Sequence, residues 1–261
     1  MRKLWVVGAA AMLVLALAAI AVAQEGVTNT YDVEGSTVPK AKGSKKKPIP
    51  IGINFDYTVG EAQNRRPSPI KKYSIRFGLT QVNTKVVPGC SKATLDNEGP
   101  DGCPAKSIVG TGFIENETGD RTKPEDKSIT CNASVQVING TDANSGNLYV
   151  KGSPGSSDPR TKCAIELAAP IPFRFVKRGV GANQSTAMEF EVPDTLLHPL
   201  PTLSNAVKRV TSKVKRLTKK IKGKRRGYFE AIGCNRGKRR ITVVFTPEDG
   251  DEATAQTETA C

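Results

Sequence analysis

Ile51-Gly52-Ile53-Asn54-Phe55-Asp56-Tyr57-Thr58-Val59 carries an apolar side chain at every second position, with Gly, Asn, Asp and Thr between. A period of two puts all five apolar groups on one side of an extended chain, so the stretch predicts a half-buried β-strand. The same alternation recurs downstream at Tyr73, Ile75 and Phe77, and again at Ile129, Cys131, Ala133, Val135 and Val137. Cys163, Ile165 and Leu167 form another run, as do Met188, Phe190 and Val192, and Ile241, Val243 and Phe245. Shorter candidates are Ile108 to Ile114, Leu148 to Val150, and Phe173 with Phe175. Turn-forming clusters separate the runs, among them Asn139-Gly140, Asn144-Ser145-Gly146, Ser153-Pro154-Gly155 and Glu248-Asp249-Gly250-Asp251. Many short strands with frequent turns predict an all-β fold, a single β-sandwich of jelly-roll or Ig-like type over residues 49–261.

Upstream of the first strand the pattern stops. Residues 24–48, with Lys40, Lys42, Lys45, Lys46 and Lys47, show little periodicity and are expected to form a flexible basic lead-in. Residues 1–23 have the layout of a cleaved signal peptide. Arg2 and Lys3 precede an uncharged apolar run from Leu4 to Ala21, and Ala21-Val22-Ala23 supplies a small-x-small cleavage site. The expected product is exported, without a retained transmembrane segment, and is secreted or held at the cell envelope.

Export gives the six cysteines a role. Cys90, Cys103, Cys131, Cys163, Cys234 and Cys261 all lie beyond the leader, and an even count in an exported chain implies disulfides. Sequence alone leaves the connectivity open. The preferred pairing is sequential, because Cys90 with Cys103, Cys131 with Cys163 and Cys234 with Cys261 each flank a turn-rich stretch. Each closed loop would contribute about 3 kcal/mol in the chain-entropy picture. Zinc is disfavoured, since there is no CxxC and His198 is the only imidazole. No cofactor is expected.

The chain's formal charge of +14 is concentrated in one segment. Lys208, Arg209, Lys213, Lys215, Arg216, Lys219, Lys220, Lys222, Lys224, Arg225 and Arg226 follow one another with no acid between them. Leu203, Val207, Val210, Val214, Leu217 and Ile221 recur at intervals of four and three, which is a helical stripe. A strand hairpin running into Tyr228 to Cys234 is the rival, favoured by the Val content and by strands on both sides. Either way one face is apolar and the other cationic. Nucleic acid is disfavoured as a partner because no aromatic for base stacking occurs between Phe190 and Tyr228. An anionic envelope polymer such as teichoic acid or lipopolysaccharide requires only clustered charge. The competing role is that of a solvated edge that discourages strand pairing.

Signals for catalysis are sparse. His198 sits in a Pro-flanked apolar loop with no second His, no G-x-S-x-G occurs, and a packing role is expected for it. Gly233-Cys234-Asn235-Arg236-Gly237-Lys238 is one residue short of a P-loop, and Arg239 stands where Ser or Thr would hold magnesium. Glu189 and Glu191 share the outer face of their strand and are the best carboxylate pair for a glycosidase, although alternating polar residues on an exposed sheet face account for them. Glu248, Asp249, Asp251 and Glu252 read as a hairpin turn rather than a calcium loop. The sequons at Asn116, Asn132, Asn139 and Asn183 suggest polar surface.

Three stretches carry a family likeness: Leu79 to Lys85 with Pro88-Gly89-Cys90-Ser91; Cys103-Pro104-Ala105-Lys106-Ser107-Ile108-Val109-Gly110-Thr111-Gly112; and Gly227 to Cys234 followed by Ile241 to Phe245. On these the chain resembles secreted disulfide-containing β-sandwich proteins of actinobacteria whose function is unknown. The resemblance implies export, a β-sandwich, disulfides and a strand over residues 206–217, and it brings no reaction. The expectation is therefore a secreted, non-enzymatic β-sandwich that binds an anionic envelope polymer through its basic segment. The alternative is a secreted carbohydrate-active hydrolase using paired carboxylates.

Overall fold

The computed structural model describes residues 28–261, so the leader expected over residues 1–23 lies outside the described residues. The chain opens with β1 (Asn29–Val38), β2 (Ile49–Glu61), β3 (Ile70–Gly78), β4 (Thr80–Val82) and the short helix α1 (Lys92–Glu98). There follow β5 (Ile108–Asp120), β6 (Ile129–Thr130), β7 (Ala133–Asn139), β8 (Ser145–Gly152), β9 (Leu167–Arg178), β10 (Ser185–Glu191) and α2 (Asp194–Leu197). The last part holds β11 (Leu203–Val214), β12 (Thr218–Ile221), β13 (Lys224–Gly227), β14 (Phe229–Ala231), β15 (Lys238–Pro247) and β16 (Ala253–Ala260).

All but β12 and β13 belong to one sheet, ordered β16-β15-β3-β10-β9-β8-β7-β5-β11-β2-β14-β4, with β1 also on β2 and β6 on β5. The sheet folds over on itself. Phe55 and Tyr57 of β2 meet Phe77 and Tyr73 of β3 across the core, at centroid distances of 5.9 and 5.8 Å. The fold is thus all-β and disulfide-stabilised, as expected. Its two layers are continuous halves of one antiparallel sheet, where a jelly roll or Ig domain has two separate sheets.

Followed from β2 to β1, the strand order nearly closes into a barrel, because β1 runs alongside β16. The ring has an odd number of strands, which sets the direction of this last pair. Eleven strands form this ring, and antiparallel neighbours all the way round an odd-numbered ring leave the final pair parallel. No ladder joins β1 to β16 among the described residues. Tyr31 of β1 reaches inward to β15, where it stacks on Phe245 at 4.3 Å between ring centroids.

The expected lead-in is corrected here. Residues 29–38 pair with β2 along their whole length, from Asn29 opposite Glu61 to Val38 opposite Gly52. Tyr31 and Val33 alone supply apolar inward groups in this strand, too few to show an alternation. Past Val38 the segment is tethered by Arg239, a fully buried cation with no ion-pair partner among the described residues. Its guanidinium donates to the Thr37 hydroxyl and to the Ala41 and Gly233 carbonyls at 2.9–3.0 Å. Burial pushes its pKa down from the ordinary arginine value.

Two other strand expectations need adjustment. The run from Ile129 to Val137 is broken into β6 and β7, and Cys163 makes only an isolated bridge to Cys131, so that strand begins at Leu167. The disulfides are Cys90–Cys103, Cys131–Cys163 and Cys234–Cys261, the sequential pairing. The first of them sits in a satellite core with Leu95 of α1, Ile138 and Tyr149. Of the four sequon asparagines only Asn183 is exposed. Asn139 is buried, and its amide donates to the carbonyls of Thr84, Val87 and Pro88, so it organises a loop.

Candidate anion-binding groove

The basic segment is extended throughout, and a β-bulge explains its helical spacing. β11 lies between β2 and β5, with Val207 opposite Asn116 and Arg209 opposite Glu115, so Lys208 is an extra residue. The positions facing the core are therefore 203, 205 and 207 before the bulge and 210, 212 and 214 after it. Asn205 and Ser212 are polar. The remaining apolar residues, Leu203, Val207, Val210 and Val214, are left at steps of four, three and four.

The cations of the segment fall into two populations. On β11, Lys208 reaches Glu117 at 3.6 Å and Arg209 holds Asp56 through Nε and a terminal nitrogen, the closest approach being 2.6 Å. The Asp56 carboxylate, as hydrogen-bond acceptor and as charge, pushes the Arg209 guanidinium up from its ordinary value. Beyond Val214 the chain leaves the sheet and forms a separate two-stranded hairpin, β12–β13. Lys222 and Gly223 turn it, both with positive φ (48° and 75°), the conformation of a tight hairpin turn.

One carboxylate fixes the hairpin's base. Glu230 on β14 is fully buried. It accepts from Arg226 Nε and a terminal nitrogen at 3.0 and 2.8 Å, from the Gly227 amide at 2.8 Å and from Gln81 Nε2 at 2.7 Å. The Tyr228 amide donates to Leu217 at 3.0 Å, and Arg216 Nε donates to the Pro50 carbonyl at 3.0 Å. Arg226 is thus the third paired cation. Lys213, Lys215, Arg216, Lys219, Lys220, Lys222, Lys224 and Arg225 have no carboxylate within ion-pair distance among the described residues.

Between the hairpin and the barrel end lies an open groove of about 620 Å³. Lys219 faces Arg226 across the hairpin and Ile221 faces Lys224, so Ile221, Lys224 and Arg226 line one wall. Lys85 after β4 and Lys177 on β9 line the other, with Asn83 and Asn144 beside them and Val82 and Phe175 beneath. Among the described residues no carboxylate lines this groove. Lys85, Lys177 and Glu230 were not singled out from the sequence. The first two arrive from distant strands and carry no local signal, whereas Glu230, a lone acid inside the apolar run Tyr228 to Ile232, does.

The other candidate residues are occupied elsewhere. Glu189 and Glu191 lie in a second groove of about 810 Å³, on the outer face of β3, β10 and β9. Glu189 binds Arg178 through both oxygens at 2.8 Å and accepts from the Ser74 hydroxyl at 3.1 Å, and Glu191 pairs with Lys72 at 2.6 Å. His198 Nε2 meets Glu248 at 2.9 Å and Nδ1 lies 3.2 Å from the Leu203 carbonyl, so the imidazole braces the loop after α2. Asp249 closes on Ser68 at the turn between β15 and β16. Cys234, in the stretch that resembles a P-loop, is bridged to Cys261. Among the described residues no three His, Cys, Asp or Glu gather as metal ligands, and no helix is long and apolar enough to cross a membrane.

Comparison of the chain with protein-family models, with curated proteins and with solved structures finds no match.

Proposed function

We propose that this is an exported, non-enzymatic protein that binds an anionic polymer of the cell envelope in the groove beside the β12–β13 hairpin. The observation that carries the reading is a groove lined by Lys85, Lys177, Lys222 and Lys224 with no carboxylate among its described lining residues, on a hairpin whose Lys219, Lys220 and Arg225 also have no acid partner. Like charges crowded at one end of a molecule repel one another and raise the local potential, and a polyanion relieves both. Cations that served only to guard a strand edge would need no groove and no Lys85 or Lys177 opposite. Three disulfides suit an oxidising compartment.

The test is retention of the oxidised protein on isolated envelope fractions, and on purified teichoic acid and lipopolysaccharide, across a salt series. Binding should weaken steeply with salt as screening shortens the reach of each charge. It should be lost when Lys219, Lys220, Lys222, Lys224 and Arg225 are all replaced by Gln, and weakened several-fold by Lys85→Gln with Lys177→Gln. Salt-independent retention, or equal retention of wild type and both variants, would refute it. The alternative, a carbohydrate-active hydrolase, has the groove over Glu189 and Glu191 in its favour and their ion pairs against it. It predicts glycan cleavage abolished by Glu189→Gln or Glu191→Gln.

A further inference from the structure

The barrel is filled unevenly along its axis. At the hairpin end Phe77, Phe175, Tyr228 and Phe229 meet edge to face, with centroids 5.6–6.4 Å apart. At the opposite end the inward-facing residues enclose an apolar cavity of about 100 Å³. Ile114, Met188, Phe190, Val192, Val207 and Val210 line it and are only partly buried, although register turns them toward the core. In an interior packed to the usual density such side chains would be covered. Their exposure marks a slot that solvent-sized groups reach.

Water has little to hold it there. The lining has few polar groups: Asn116 Nδ2 donates to the Cys131 carbonyl at 2.6 Å and Asn205 Nδ2 to the Leu196 carbonyl at 2.9 Å, which leaves the buried Tyr73 hydroxyl, without a hydrogen-bond partner among the described residues, and Ser212. Asn205 Oδ1 accepts from the Thr118 hydroxyl at 2.6 Å. Burial pushes the Tyr57 and Tyr73 hydroxyls well up, so neither carries charge into the space. A water needs two to four polar partners to be held in a cavity, whereas an apolar one of about 150 Å³ stays dry and accepts benzene. Leu196 and Leu197 of α2 roof the cavity, and the roof is pinned by the Asn205 bond to Leu196 and by His198 on Glu248. Leu200, 46% exposed, stands just beyond it.

We infer that this cavity receives the end of a single alkyl chain, making the protein a binder of single-chain amphiphiles. By the benzene comparison the space holds roughly four carbons. The half-buried rim of Met188, Phe190 and Val192 gives the rest of the chain an apolar path outward. A branched or fused-ring ligand is excluded by the slot's small volume against its many walls. The site lies at the end of the barrel away from the hairpin, so it does not depend on polymer binding.

Calorimetric titration below the micelle concentration, with octyl glucoside as a neutral probe and octanoate as an anionic one, tests this. Wild-type protein should bind both. Val210→Phe, which fills the slot, and Val192→Asn, which makes its rim polar, should each weaken octyl glucoside at least tenfold, with folding confirmed by circular dichroism. The hairpin variant with five Gln should bind octyl glucoside unchanged. Absence of binding by wild type, or equal affinity in both cavity variants, overturns the inference. If Val210→Phe does not fold, Val192→Asn alone decides the outcome.

Discussion

Phe229 and Phe190 are aromatic residues on strands of the same barrel, and they keep different company. Phe229, at the hairpin end, is buried against Phe77, Phe175 and Tyr228. Phe190, at the other end, stacks on Tyr73 at 4.9 Å and leaves its remaining surface on the cavity. One end is packed tightly within and densely charged without; the other is loosely packed within, and its cations Lys208 and Arg209 are paired with acids. The difference suggests that the hairpin end keeps a rigid base beneath repelling charges, while the opposite end can spare packing to hold a guest.

The largest effect should come from removing the plug. Phe229→Ala is expected to cost about 3–5 kcal/mol in denaturant unfolding, and Phe190→Ala about half as much, because a partly exposed ring beside existing space has less to lose. Equal costs would erase the contrast between the ends. Next in size is Glu230→Ala, which strands Arg226 and the Gly227 amide and should cost about 2–3 kcal/mol. It should also raise hydrogen exchange across β12 and β13 while leaving β10 and β11 protected.

A pH titration probes the opposite end. Glu61, at the close of β2, is held down to about pKa 2, from an ordinary 4.5, chiefly by the Arg65 guanidinium and also by the Arg65 and Gln63 amides. A carboxylate with a depressed folded pKa gives its full stabilisation above its unfolded value. Stability should therefore fall as pH drops from about 4.5 towards 2, and Glu61→Gln should flatten that slope. An unchanged slope in the variant would assign the acid sensitivity elsewhere. The smallest expected effect on stability is that of the five Gln substitutions on the hairpin. Their side chains are exposed and unpaired, so the midpoint should move by no more than about 0.5 kcal/mol.

Much of the fold was legible. The alternation in β2, β3, β7, β10 and β15 is strict because each has one face on the core, and sequential disulfides followed from turn-rich loops. β1 escaped notice because its inward positions include Gly35 and Thr37, which do not register as apolar. Residues 203–214 resembled a helix because the bulge at Lys208 and the two polar inward residues converted a period of two into steps of four and three. The cations of the groove were visible only from the hairpin side. Lys85 and Lys177 join them through strand order, and the cavity arises from side-chain volumes that no periodicity reports.

The parity of the ring has a mechanical consequence. β1 and β16 lie side by side and point the same way, so tension applied between Asn29 and Ala260 loads their seam lengthwise. Elsewhere round the ring such a load would meet a ladder of hydrogen bonds; here, among the described residues, no ladder joins the two strands. The seam is expected to slip at low force, with Cys234–Cys261 acting as the stop that keeps β16 from peeling off β15.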